Sequence, residues 1–215
     1  MTLLAHDNET ERDGSPQFAI ALAEVTNTLD ATGTGRVQVQ LPWLPDTQPW
    51  ARVAVPGAGS GRGTYVLPHE GDEVLIAFNR NDISDCYVVG SLWNQADPPP
   101  LRGPLDPITK VAIRSETGHD IELDDLRQAI TITTSTGHTI ELSPDAIRIS
   151  TSGDTASIVL GQAGDVTVEA TTTLTLRAQQ VKIEGRGQVG IESQANVSIK
   201  GGATCRVEAS TILLN

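Results

Sequence analysis

Hydrophobic and polar positions alternate along most of the chain, and the period of that alternation changes twice. Between positions 17 and 93, short apolar runs are cut by Gly, Pro, Asn and Asp. This is the punctuation of strands joined by turns, and no stretch of helical period competes with it. Residues 17–25 form a β-capable run that stops at Thr26 and Asn27. Residues 36–41 alternate strictly and put Val37, Val39 and Leu41 on one face. Further strands are predicted over 50–55, 64–67, 73–78 and 86–92. Five or more short antiparallel strands within about 80 residues predict a small barrel closed on itself. Trp43, Trp50 and Trp93 are expected to plug its interior, since each ring can bury a large area.

Beyond the barrel the pattern becomes an internal repeat. Glu116-Thr117-Gly118-His119-Asp120-Ile121-Glu122-Leu123 returns 19 residues later as Ser135-Thr136-Gly137-His138-Thr139-Ile140-Glu141-Leu142. Each copy reads as a Gly-centred turn followed by an apolar-polar-apolar strand. With Thr131-Ile132-Thr133 and Ile147-Arg148-Ile149 as intervening strands, this region predicts a β-meander. From Asp165 the period shortens. Apolar pairs recur at Val166/Val168, Leu174/Leu176, Val181/Ile183, Val189/Ile191, Val197/Ile199, Cys205/Val207 and Ile212/Leu214, in steps of 8, 7, 8, 8, 8 and 7. A period near eight is too long for a helix; it describes a short strand with two inward side chains and then a corner. Gly185-Arg186-Gly187, Ser193-Gln194-Ala195 and Gly201-Gly202-Ala203 supply such corners.

Composition explains how such a ladder could be built. The seven aromatic residues all lie at or before Trp93, and eleven of the 12 prolines lie at or before Pro107. A globular core of this size normally uses rings, so the C-terminal half is not an ordinary globule. The ladder could be a solenoid of one chain or a prism in which three chains intertwine. At three strands per coil, seven strands give a lone chain barely more than two coils, thin for a solenoid without caps. Three chains instead build a column whose edges are paired, and this trimer is the favoured reading. A narrow axis accepts Val, Ile, Leu and a small Cys205, whereas a ring would overpack it by about 1–3 kcal/mol. The trimer core is therefore expected to consist of Val166, Val168, Leu174, Leu176, Val181, Ile183, Val189, Ile191, Val197, Ile199, Cys205 and Val207. The 16 threonines after Pro107 suit the outward positions.

The net charge is -12, with both halves acidic, which disfavours nucleic acid and anionic membrane surfaces as partners. The first 14 residues carry four acidic groups and no long apolar run, so no signal peptide is read there, and no segment approaches a membrane span. Cys86 and Cys205 are too far apart in sequence to suggest a disulfide framework. Catalytic templates fail in turn. Gly57-Ala58-Gly59-Ser60-Gly61-Arg62-Gly63 has Arg62 where a dinucleotide fingerprint needs Gly, lacks the Gly-Lys-Ser/Thr ending of a phosphate loop, and has Ala58 where a nucleophile elbow needs Gly. It reads as a flexible surface loop. His119 with Glu122, and His138 with Glu141, sit three apart, and on a strand such residues point to opposite faces. No enzyme, cofactor or metal site is read from this sequence.

Four ordered blocks go further. Gly35-Arg36-Val37-Gln38-Val39-Gln40-Leu41-Pro42-Trp43, Pro49-Trp50-Ala51-Arg52-Val53, Gly71-Asp72-Glu73-Val74-Leu75-Ile76-Ala77-Phe78 and Val89-Gly90-Ser91-Leu92-Trp93-Asn94 resemble the OB domain of contractile-tail spike proteins. These are the phage baseplate assembly protein V family and the VgrG spikes of type VI secretion. The resemblance implies an all-β chain: an OB-fold barrel followed by a trimeric intertwined β-helix, a triangular β-prism. The division expected is an N-terminal tail at 1–16, the OB domain at 17–97, a Pro-rich linker at 98–107, and a meander leading into the spike at 108–215. It also implies a homotrimer seated on a separate hub protein, making transient contact with a target membrane. Such a protein is expected in a virion or phage-tail-like particle, assembled in the bacterial cytoplasm. Some short phage spikes end in a His-x-His iron site, and no histidine follows His138. Ile212, Leu213, Leu214 and Asn215 are instead expected to bind a separate tip protein of the PAAR type. The alternative reading is a carbohydrate-binding or adhesin-like β-solenoid that uses the barrel groove.

Overall fold

A computed structural model describes residues 20–213 and divides the chain into two compact units, one ending at Ile130 and the other beginning at Thr131. The first unit opens with β1 (Ile20–Asn27), β2 (Arg36–Gln40), β3 (Trp50–Val53), β4 (Ala58–Gly59), β5 (Arg62–Gly63), β6 (Glu73–Asn79) and β7 (Asp82–Ser91). Five of these close a barrel in the order β1-β2-β3-β7-β6, with β1 completing the ring against β6. The β3–β7 pair is parallel and the others are antiparallel. Strict alternation fills the interior: Ala21, Ala23 and Val25 from β1, Val37 and Val39 from β2, Val74, Ile76 and Phe78 from β6, and Cys86 and Val88 from β7 are buried together. Each aliphatic of Val or Ile size contributes about 1.5–3 kcal/mol on full burial. Burial pushes the Cys86 thiol up to about 11.

Three sequence expectations change here. Trp43 is 47% exposed and Trp93 72% exposed, so these rings do not plug the barrel. The interior of a five-stranded barrel is already filled by its alternating aliphatics. No strand forms over 64–67; the Gly-rich loop just before it, read as flexible, instead folds back on itself as the β4–β5 hairpin. The β6–β7 turn uses Arg80 and Asn81, both at positive φ, as a two-residue hairpin requires.

The β1–β2 connection is organised around one carboxylate. Asp30 accepts from the Thr32 and Thr34 amides at 3.0 and 3.1 Å, from both threonine hydroxyls, and from the Arg36 guanidinium at 2.9 Å. Arg36 first, then the threonine donors, hold this carboxyl well below the usual carboxylate range, against a smaller opposing effect of burial. A depressed native pKa stabilises the fold above the unfolded-state value of about 3.9, and that stabilisation is lost progressively as pH falls below it. The Asp30→Asn barrel is accordingly expected to melt below the native one at pH 7, with the gap narrowing below about pH 4. Thermal melts across pH check this. A constant gap from neutral to acid pH would mean that the loop does not use the charge.

After the barrel, the helical turn α1 (Asp106–Thr109) interrupts the Pro-rich stretch, with Pro107 in its first turn, and leads into β8 (Lys110–Arg114) and β9 (Asp120–Asp124). Lys110 lies 3.0 Å from Glu122, and Arg114 lies 2.6 Å from Asp120. Strand β10 (Ala129–Thr133) spans the division between the units. The second unit continues with β11 (Thr139–Leu142), β12 (Ala146–Ser150), β13 (Ala156–Gly161) and β14 (Val166–Ala170), each antiparallel to the next.

The 19-residue sequence repeat is a repeated turn. In the first copy the Ser115 amide donates to the His119 carbonyl at 2.9 Å, and the His119 amide donates back to the Ser115 hydroxyl at 3.0 Å. Thr134 and His138 reproduce both bonds at 2.9 and 3.0 Å. Gly118 and Gly137 supply the positive φ, 90° and 86°, that such turns need. From Thr171 to Leu213 no helix and no paired strand is formed.

Candidate assembly surface

Register decides which side chains share a face of the second unit. Ile140 pairs with Ile149, Ile149 with Ile158, and Ile158 with Val168; Leu142 pairs with Ile147, Ile147 with Leu160, and Leu160 with Val166. Two unbroken rows of four aliphatics therefore cross β11–β14 on one face. The residues between them belong to the other face, where Thr139, Ser150 and Ser157 align and the Thr139 and Ser150 hydroxyls lie 2.9 Å apart.

Burial on this sheet is the reverse of what a lone globule shows. Ile149 is 43% exposed while its neighbour Ser150 is 8% exposed, and every aliphatic of the two rows is similarly open or more so. A contiguous apolar face of this kind marks an interface. In the first unit the β8–β9 hairpin carries the same two-aliphatic pattern, with Val111 opposite Leu123 and Ile113 opposite Ile121, all exposed. The eight-residue period does not reach these meander residues: they too come two to a strand, but hairpin turns spread them over a 19-residue repeat.

Of the positions read from the sequence as core, Val166 and Val168 join these rows on β14. Leu174, Leu176, Val181, Ile183, Val189, Ile191, Val197, Ile199, Cys205 and Val207 are all exposed in the single chain. Lys182 pairs with Glu184 and Arg206 with Glu208. Ion pairs two residues apart put both partners on one side of an extended segment, the side away from Val181/Ile183 and from Cys205/Val207. The alternation read from the sequence is thus expressed even where no neighbouring strand exists. Ile212 and Leu213 are exposed; Leu214 and Asn215 lie outside the described residues.

Chemistry of other kinds is sparse. Among the described residues, no three His, Cys, Asp or Glu side chains gather where a metal ion could be held. The His138 Nδ1 accepts the Ser152 amide at 3.1 Å, which makes it a turn residue. Two recesses of the first unit each hold a single exposed ring: Tyr65 beside the Gly-rich loop, and Trp93 among Pro99, Pro100 and Pro107. None of the described helices is long and apolar enough to cross a membrane.

A closed five-stranded barrel followed by strands whose aliphatic faces find no cover within the chain defines a subunit completed by association. Comparison with known proteins gives that class its family. Residues 21–93 match the type VI secretion system/phage-baseplate injector OB domain, and residues 110–215 match the phage baseplate V C-terminal trimerisation domain. The chain belongs to the phage baseplate V family of structural spike proteins, which includes the VgrG spikes. Similar curated proteins include the type VI secretion system spike protein VgrG3 of Vibrio cholerae, 29% identical over 47% of this chain and 10% of that protein. VgrG4b of Pseudomonas aeruginosa is 37% identical over 34% of the chain and 10% of its own length. The actin cross-linking toxin VgrG1 of Vibrio cholerae is 30% identical over 39% of the chain and 8% of its own length. The chain thus spans about a tenth of the length of these relatives.

Proposed function

We propose that this protein is the central spike of a contractile phage tail or phage-tail-like injection system, a rigid homotrimeric needle that pierces a target envelope without catalysing a reaction. The observation that carries this reading is the inverted burial of the second unit, taken with the match of residues 110–215 to a trimerisation domain. Three copies would turn the aliphatic rows toward a common axis. Val166, Val168, Leu174, Leu176, Val181, Ile183, Val189, Ile191, Val197, Ile199, Cys205 and Val207 then form the core, with the meander aliphatics above them. The work of such a part is mechanical: many ladder hydrogen bonds and core contacts must fail together before the column shears.

In this reading residues 17–97 seat on a separate hub protein, 98–107 connect, and 108–215 project. The apolar end at Ile212 and Leu213 takes a tip protein of the PAAR type together with Leu214 and Asn215. In this reading assembly takes place in the bacterial cytoplasm. The activity in the name of the actin cross-linking relative belongs to that protein.

Affinity purification of the tagged chain from cells that make the particle tests the whole proposal. The full chain is expected to recover baseplate components and a small tip protein; the chain lacking 212–215 is expected to keep the former and lose the latter. Equal recovery of the tip protein by both would remove the tip assignment. Recovery of glycans with no particle component would favour the carbohydrate-binding reading instead.

A further inference from the structure

The outside of the barrel is apolar along one side. Ala21, Ala23 and Val25 of β1 and Val74, Ile76 and Phe78 of β6 fill the interior, so alternation turns Ile20, Leu22 and Glu24, and Glu73, Leu75 and Ala77, outward. Register makes these neighbours: Ile20 lies opposite Ala77, Leu22 opposite Leu75 and Glu24 opposite Glu73. Ile20 is 64% exposed and Leu22 46% exposed. On the β7 side, Leu75 pairs with Gly90 and Ile76 with Val88, so Val89 is an extra residue in a bulge, and it too is exposed. The interior has no room for these side chains, and they form one contiguous outer strip.

One end of the strip carries an unbalanced pair of charges. Glu24 and Glu73 stand directly opposite each other, and like charges so placed on neighbouring strands are destabilising. The Asn94 side-chain amide donates to Glu73 at 2.8 Å, but among the described residues no cation pairs with either carboxylate. Building on the spike reading above, in which the barrel seats on a separate protein, we infer that the outer face of β1 and β6 is that seat. Its occupant is a protein surface with aliphatic side chains at the centre and lysine or arginine at the border that meets Glu24 and Glu73.

Charge argues against the occupants this chain could supply itself. Residues 1–16 hold Asp7, Glu9, Glu11 and Asp13 against a single Arg12, the same sign as the pair they would have to cover. A second barrel would offer Arg36 and Arg52, which lie opposite each other on the outside of β2 and β3. Arg36 is already paired with Asp30 at 2.9 Å, and Arg52 lies over the Tyr87 ring at 4.6 Å. That face is also on the far side of the barrel from the β1–β6 strip. Head-to-tail contacts between opposite sides of a subunit build an open filament and not a closed ring of three.

The test places photoreactive benzoylphenylalanine at Leu22 or, as a control, at Gln40 on the outside of β2, in the full chain assembled into particles, with the linked residues read by mass spectrometry. Position 22 is expected to link to a different particle protein, at a segment bordered by lysine or arginine, and position 40 is expected not to. Glu24→Lys, which sets a cation opposite Glu73, is expected to leave the barrel's melting unchanged or raised while reducing recovery of that protein by about tenfold or more. Links from position 22 to another copy of this chain, to residues 1–16 or to nothing, or undiminished recovery with Glu24→Lys, overturn this seat; if the chain is present in the particles, the spike reading stands. Absence of the unsubstituted chain from the particles overturns both.

Discussion

Ile158→Asp is expected to convert the protein from trimer to monomer while leaving the barrel folded. Ile158 sits in the middle of the row Ile140, Ile149, Ile158 and Val168 and is 40% exposed in the single chain. A carboxylate there remains partly hydrated in a monomer and costs it little. In the column the same substitution brings three carboxylates to one axis, without cations to pair with them. The effective penalty for one buried ion is several kcal/mol, so three copies cost on the order of 10 kcal/mol per trimer before their mutual repulsion. Size-exclusion chromatography with light scattering reads the outcome. Far-UV circular dichroism and the barrel's own melting separate loss of association from loss of fold. An Ile158→Asp protein that stays trimeric would mean that this face does not point to the axis.

The second large effect separates the two sides of the ladder. On the proposed core assignment, Ile191→Ala removes an inward side chain and is expected to cost about 2–5 kcal/mol per chain, three times over in the assembled column. Glu192→Ala, one residue on and facing outward, is expected to stay within about 0.5 kcal/mol. Chemical denaturation followed by loss of trimer gives both values. Equal effects at the two positions would erase the alternation on which the core assignment depends.

The barrel was the most legible part of the sequence wherever alternation was strict. Arg36 to Leu41 reads as a strand with Val37, Val39 and Leu41 inward, and all three are buried. The tryptophans misled because ring size suggests a plug, although the aliphatics of β1, β2, β6 and β7 already fill so narrow an interior. Thr64 to Leu67 has the composition of a strand but forms no ladder beyond the Thr64 amide donating to the Gly57 carbonyl, while Gly59 and Gly61 hide a hairpin that composition reads as loop. In the meander the turn repeat was plain because Gly118 and Gly137 are both required at positive φ. The apolar rows it creates were not, because register between strands, and not order along one strand, aligns Ile140, Ile149, Ile158 and Val168. Beyond Ala170 the eight-residue period was legible from the spacing of aliphatics alone, yet the single chain forms no ladder there. Those strands need hydrogen-bond partners that one copy does not contain.

A chain finished only by two more copies of itself is expected to show, by light scattering, a native mass three times the 22.8 kDa of one chain. A stable mass of one chain, with residues 171–213 still protected from proteolysis, would overturn the trimeric spike.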